Sequence, residues 1–303
     1  MDRMTRRGWA LFIAMAVIWG IPYLLIKIAV GQITPPTLVF ARTAIGALLL
    51  IPLAAARGEL ASLLPYWRML LAYTAAEVAL PWVLLSDAER RLPSSLTGLL
   101  VAAVPLIGVL LARLTGSDER FGGRRLLGLV LGLAGVAALV GLDVSGSNLG
   151  AVGEVGLVAL GYAIGPLIIA RRLSAVPALG VVAASLLLTA VVYAPFGLAQ
   201  MPSALPSTRV LVAVGILALV CTAVAFLLFF ALIGEVGPVR ATVITYFNPA
   251  VALVLGIVLL HEPFTLGAGA GFVLILLGSF LATRRGPGAA RGQDLALRDA
   301  VAG

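Results

Sequence analysis

Residues 9–29, WALFIAMAVIWGIPYLLIKIA, decide the fold class, because they carry a single charge, Lys27, in a run long enough to cross a lipid bilayer. At about 1.5 Å per residue a helix of this length is about 30 Å long, the thickness of the hydrocarbon layer. Arg6, Arg7 and the Ala14-Met15-Ala16 stretch give the start of this run some likeness to a secretory leader. The apolar residues continue past that supposed cleavage site through Trp19 to Val30, which is spanning length and not a short leader core.

Outward from this run, nine more apolar segments of similar length follow: 35–56, 68–87, 95–115, 124–142, 150–170, 177–199, 209–233, 237–260 and 265–283. Their connections are short, which predicts one bundle of ten transmembrane helices. Only residues 284–303, rich in Gly, Ala, Arg and Asp, read as a disordered cytoplasmic tail. Composition agrees. Of the 303 residues 61% are apolar and 11% charged, against about 25% charged in a soluble domain. That is too little polar surface to face water, so the surroundings are lipid. Most of the 34 glycines and 17 prolines lie within the apolar runs, where membrane helices tolerate them.

The rare residues exclude chemistry. Cys221, His261 and Lys27 are each the single residue of their type. One cysteine forms no intrachain disulfide, and Cys221 with His261 cannot complete a structural zinc site, so redox frameworks and Cys/His metal sites drop out; a carboxylate-rich magnesium site stays formally open, and no cofactor is expected. Lys27 is followed by Ile28 and Ala29, so no phosphate-binding G-x-x-x-x-G-K-[ST] loop exists. The net charge of +8 comes from arginines scattered between apolar segments, which does not make a nucleic-acid stripe. With the N-terminus placed inside, sixteen of the 21 basic residues fall on inner segments and only Arg90, Arg91 and Arg209 on outer ones. This is the positive-inside pattern of an N-in, C-in chain.

Compared with itself at a shift of 143, the chain pairs Trp19 with Tyr162, Pro52 with Pro195, Glu119 with Glu262, Gly128 with Gly271 and Gly135 with Gly278. A shift of 144 pairs Pro22 with Pro166, Lys27 with Arg171 and Pro105 with Pro249. The pattern predicts two repeats, 9–142 and 150–283. Each holds five spans, an odd number, so the second copy is expected to enter from the opposite side. Inverted halves can exchange conformations, closing one face of a central cavity while opening the other. Duplication that merely builds a stable bundle is the bland alternative.

The chain resembles the EamA-type proteins of the drug/metabolite transporter superfamily. The resemblance rests on Trp19-Gly20, the stretch from Pro36 to Ala41-Arg42, Ser94-Ser95 leading to Pro105, Thr222-Ala223 and Ala225-Phe226, Asn248-Pro249, and the Glu119 and Glu262 junctions. It covers residues 9–283. It implies an integral membrane protein with two EamA repeats that moves a small organic solute such as an amino acid, another metabolite or a drug. One departure is His261 before Glu262, where relatives usually place Gly.

A charge in hydrocarbon costs about 2.5–3.5 kcal/mol on insertion scales and needs a partner or a watery cavity. Glu77, near the middle of the third run, reads as the only deep carboxylate. It is either a proton carrier or a static structural group. Arg42 and Lys27 lie toward the outer ends of their runs, where they either face an anion, including Glu77, or snorkel to the headgroups. Trp19, Tyr162, Phe226 and Tyr246 are candidates to line an aromatic cavity, with plain packing as the alternative. Asn248 offers an amide to a substrate. Pro105 and Pro249 recur at matching places and are hinge candidates. The spacings Gly128/Gly132, Gly161/Gly165 and Gly267/Gly271 read as helix-packing faces.

The expected function is therefore a secondary transporter, not an enzyme. It exports a small solute by alternating access, with a proton as candidate coupling partner, in a bacterial inner (plasma) membrane. Lipid flipping stays open within that class. An intramembrane enzyme acting on a lipid-linked substrate would need clustered carboxylates for magnesium, whereas Asp87/Glu89 and Asp118/Glu119 sit at predicted membrane edges.

Overall fold

The computed structural model describes residues 4–114, 123–143 and 146–283. Glu119 and the predicted tail at 284–303 lie outside the described residues. Within them the chain is all helical, with ten helices long and apolar enough to cross a membrane: Arg6–Ala29, Pro35–Ala56, Ala61–Arg91, Ser94–Leu111, Gly123–Leu142, Leu149–Arg172, Ala178–Ala199, Thr208–Val236, Thr242–Leu260 and Leu266–Thr283. They are called spans one to ten below. Their outward surface is apolar: Leu48 is 74% exposed, Leu133 and Val191 63% each. Such a surface is stable only against lipid tails.

Lipid offers no hydrophobic reason for helices to associate, so close contact between small residues replaces it. Spans five and ten show this most clearly. A Cβ on Gly128 would lie 2.5 Å from Ala282 N, one on Gly278 2.4 Å from Gly132 N, and one on Gly135 2.8 Å from Ile275 N. Residue numbers rise along one helix as they fall along the other, so the two run antiparallel. Spans two and seven pack likewise, with Thr37 donating to Gly197 O at 3.0 Å and Gly46 set against Leu186. In spans four and nine, Gly98 faces Ala252, and Gly256 faces Ser94 and Ser95. Span one packs against span eight, and span three against span six.

Several spans are interrupted, which the apolar runs concealed. Span one consists of helices Arg6–Ile18 and Pro22–Ala29 with a break at residues 19–21. Pro22 has no N–H for Ile18 O, and Gly20 admits a neighbouring backbone there, since a Cβ would lie 2.9 Å from Asn248 O and 2.4 Å from Val251 Cβ. Span four breaks between Ser94–Val101 and Val104–Leu114, just before Pro105. Span nine enters through the 3-10 turn Thr242–Tyr246 before the helix Asn248–Leu260, where Pro249 is the second residue. Pro166, by contrast, sits inside the unbroken helix Leu149–Arg172.

Spans three and eight contain π-helical turns at matching places, Thr74–Ala79 and Leu219–Val224. In span three the turn precedes Pro81, and Leu80 N reaches back five residues to Ala75 O. In span eight the Thr222 hydroxyl enters the ladder and donates to Leu217 O at 2.8 Å.

Candidate functional site

The two π turns face the middle of the bundle and are held from opposite halves of the chain. Arg42, on span two, is 7% exposed and donates Nε–H to Thr222 Oγ1 at 2.8 Å. Its guanidinium lies over the Trp82 ring, 3.6 Å from the centroid. In the other direction Thr74 donates to Ser185 of span seven at 3.0 Å. Arg42 therefore does not snorkel. A planar cation with a hydroxyl at its edge and an indole at its face is retained inside, where a lysine would leave both contacts unmade.

Glu77 lies on the first π turn, against Gly165 of span six. A Cβ on Gly165 would fall 1.9 Å from Glu77 Oε2, so glycine is what lets the carboxyl in. Oε2 is buried and has no hydrogen-bond partner among the described residues. No ion pair joins Glu77 to Arg42 among those residues. Tyr162 packs against the cluster that contains Trp82 and Val78. In place of the Glu77–Arg42 pairing raised from sequence, Arg42 is held by Thr222 and Trp82. Gly161, one turn before Gly165, gives the π turn its seat: a Cβ there would meet Ala76 O at 2.2 Å.

The other candidates are spread over separate neighbourhoods. Trp19, at the break in span one, packs edge-on to Phe226 at 5.9 Å and tilted against Phe229 at 4.6 Å. Phe226 joins Tyr162 around the cluster of Trp82, Val78 and Leu186. Tyr246 instead reaches span ten, with its hydroxyl 2.7 Å from Thr283 Oγ1. Asn248, with its amide nitrogen turned inward, donates to Ile244 O and to Ala16 O, 3.0 Å each. Ala16 O is available because Gly20 N turns to Val17 O at the break. At the break before Pro105, Ser279 of span ten donates to Ala102 O at 3.3 Å.

Toward the far ends of spans one and three a second polar group appears that sequence reading placed at the membrane edge. Lys27 does not snorkel: Nζ donates to Glu89 O at 2.6 Å and Leu92 O at 2.7 Å, the last carbonyls of span three. Glu89 is 0% exposed, so Glu77 is not the only buried carboxyl, although Glu89 lies in the last turn of span three and not near its middle. The cause is tertiary, since the Lys27 end of span one and the start of span four close over it. Glu262 accepts from Ser94 N at 2.7 Å, Ser94 Oγ at 3.0 Å and Ser95 N at 2.9 Å, capping the first turn of span four. His261 before it has φ 56°, the left-handed conformation that glycine takes without cost. That accounts for the departure noted at this position.

Interrupted helices, buried polar groups at the interruptions and a lipid-facing exterior define a polytopic membrane protein of the solute-moving class. Residues 6–141 and 155–284 each match the EamA-like transporter family. The chain belongs to that family and is a multi-pass membrane transporter. It is 27% identical over 286 residues to the uncharacterized transporter YvbV of Bacillus subtilis, covering 91% of this chain and 92% of that one. It is 31% identical over 256 residues to the uncharacterized inner membrane transporter YedA of Escherichia coli, covering 82% and 80%. A solved crystal structure 24% identical shares the fold with a TM-score of 0.65, over 91% of this chain and 96% of the other.

Proposed function

We propose that the protein exports a small organic solute by alternating access between two inverted five-helix repeats, 9–142 and 150–283, with Glu77 as a proton carrier. The antiparallel packing of spans two with seven, four with nine and five with ten supports the inversion, because like-numbered helices of inverted repeats run in opposite directions. The asymmetry of basic residues supports an N-in, C-in orientation, and the likeness to YedA supports a bacterial inner membrane.

The observation that carries the reading is the carboxyl of Glu77. It sits on a π turn, with one oxygen buried and without a hydrogen-bond partner among the described residues. A group so placed takes a proton when enclosed and releases it when the site opens to water. Arg42 and Tyr162 would meet the carboxylate and polar end of a zwitterionic solute, and Trp19 and Phe226 its apolar part. Pro105 and Pro249, each just past an interruption, are the hinges in this reading. Asn248 and Tyr246 serve it by holding interrupted backbone instead of solute.

The test is uptake of a pooled, labelled set of amino acids and other metabolites into proteoliposomes, with and without an imposed pH gradient. Wild type should accumulate a solute only with the gradient, while Glu77→Gln should exchange solute without accumulating it. Gradient-driven accumulation by Glu77→Gln at the wild-type level rejects Glu77 as carrier. Movement of fluorescent lipid in place of every solute would favour flipping.

A further inference from the structure

We propose that Glu89 is a second proton site, occupied in this conformation and exchanged when the outer ends of spans one, three and four part. The release step rests on the alternating-access reading above; the occupancy does not.

The argument is one of charge and donors. Three groups meet at this end of the bundle: Lys27, Glu262 and Glu89. Glu262 has its donors, two backbone N–H groups and a hydroxyl at a helix N-terminus, which is how an ionised carboxylate is held. Lys27 has its acceptors, two carbonyls at a helix C-terminus, which is how an ammonium is held. Glu89 is left over: it is fully buried, and neither Oε1 nor Oε2 has a partner among the described residues. An ionised carboxylate without a side-chain donor is costly in an apolar interior, and the neighbouring Lys27 ammonium gives its hydrogen bonds to carbonyls instead, so this group holds a proton.

The remaining surroundings agree. Tyr23 of span one and Tyr162 of span six are the other titratable side chains in the neighbourhood of Glu89. Asp87, Arg90 and Arg91 of the same helix face outward, where Arg91 pairs with Asp87 and with Glu154 of span six at 2.6 Å each. None of them supplies Glu89 with a donor. A metal cation does not fit here, since the Lys27 ammonium is adjacent and no cluster of three carboxylate, His or Cys ligands occurs among the described residues.

The proton has a way to leave. Lys27 binds the backbone carbonyls of the turn that carries Glu89 and not its carboxyl. When the end of span one moves away from span three, those contacts break and water enters beside Glu89, takes its proton and solvates the carboxylate. Glu89 would then release one proton to water at each opening and take one back at each closing.

The decisive measurement is infrared difference spectroscopy on the full-length protein in lipid nanodiscs. The protonated-carboxyl C=O band is followed through a pH titration and on transfer to D2O, for wild type, Glu89→Gln, Glu77→Gln and the double variant. The expected result is that Glu89→Gln removes a component separate from that removed by Glu77→Gln. That component should shift in D2O while circular dichroism shows the helices intact. A wild-type band unchanged by Glu89→Gln means an ionised Glu89 and overturns the proposal. A Glu89 component that never shifts in D2O marks a static proton and overturns it equally. The readout needs no solute, so it stands apart from failure of the transport assay. Glu89→Gln, which mimics the neutral acid, should melt within a few degrees of wild type. Should it fail to fold, carbodiimide labelling of wild type with mass-spectrometric mapping decides: an adduct at Glu89 is expected, and its absence under conditions that label Glu77 overturns the proposal.

Discussion

Arg42 Nε lies 2.8 Å from Thr222 Oγ1, and the Thr222 hydroxyl in turn donates a hydrogen bond to Leu217 O at 2.8 Å. A side chain of the first half thus binds the widened turn of the second, as Ser185 of the second half binds Thr74 in the widened turn of the first. Neither contact is local in sequence. Both tie a π turn to the helix that crosses beside it.

Arg42→Lys should therefore destabilise the protein despite keeping the charge. It loses a charged hydrogen bond, about 1.5–3 kcal/mol, and most of the stacking on Trp82, about 0.5–2 kcal/mol. Thr222→Val should cost somewhat less. In a double-mutant cycle read from unfolding in detergent, the two should couple by about 0.5–3 kcal/mol; additive effects would mean that the contact contributes nothing.

Gly165→Ala should perturb the central carboxyl without dismantling the fold. The new methyl would overlap Glu77 Oε2 at 1.9 Å, and a carboxyl end can swing away where backbone could not. Loss of gradient-driven accumulation with preserved thermal stability is the expected pair of results. Gly156→Ala on the same helix, with nothing within 4 Å, is the control that should behave as wild type.

Gly278→Ala should be far more damaging, because its Cβ would meet Gly132 N at 2.4 Å and Gly128 O at 2.6 Å, both backbone. Spans five and ten would have to separate, forfeiting the packing that holds membrane helices together. Overpacking of this kind costs about 1–3 kcal/mol or more. Detergent-solubilised yield and melting temperature should fall together, whereas Gly141→Ala, which meets nothing, should leave both unchanged.

Asn248→Asp should be worse than Asn248→Ala. The alanine leaves Ala16 O short of a donor, about 1–3 kcal/mol, while the aspartate sets a carboxylate against Ile244 O and Ala16 O. A residue that served only to bind solute would show neither loss in a melting experiment, and only transport would change.

His261→Gly should stabilise the protein or leave it unchanged. A left-handed conformation costs a residue with a side chain about 1–2 kcal/mol, offset in part by the greater entropy that glycine loses on folding. A clear fall in melting temperature would show that the His261 side chain contributes something that offsets the strain.

Much of the architecture was legible before any coordinates. Apolar runs of spanning length mark the ten helices because a bilayer demands internally bonded backbone over a set thickness, a local property of each run. The paired glycines were legible for a similar reason, since only small residues let two helices approach in lipid. The site was legible only in part. Glu77 and Arg42 stood out as charges in apolar runs, but their partners did not, for Thr222 and Gly165 are unremarkable in sequence and are brought near by the crossing of helices from the other half. Asn248 looked like a donor for a solute, yet the break at Trp19 and Gly20 supplies a free carbonyl that takes it.

By itself, then, the sequence determined that this is a ten-span membrane protein with duplicated patterning and a few charges within its spans, because hydropathy and length act residue by residue. Tertiary structure decided where the π turns fall, which neighbour takes up each group freed at the interruptions, and that Glu89 is enclosed. Those outcomes depend on which freed carbonyl, hydroxyl or cation from a distant span arrives to satisfy each buried group, and no local pattern encodes that arrival.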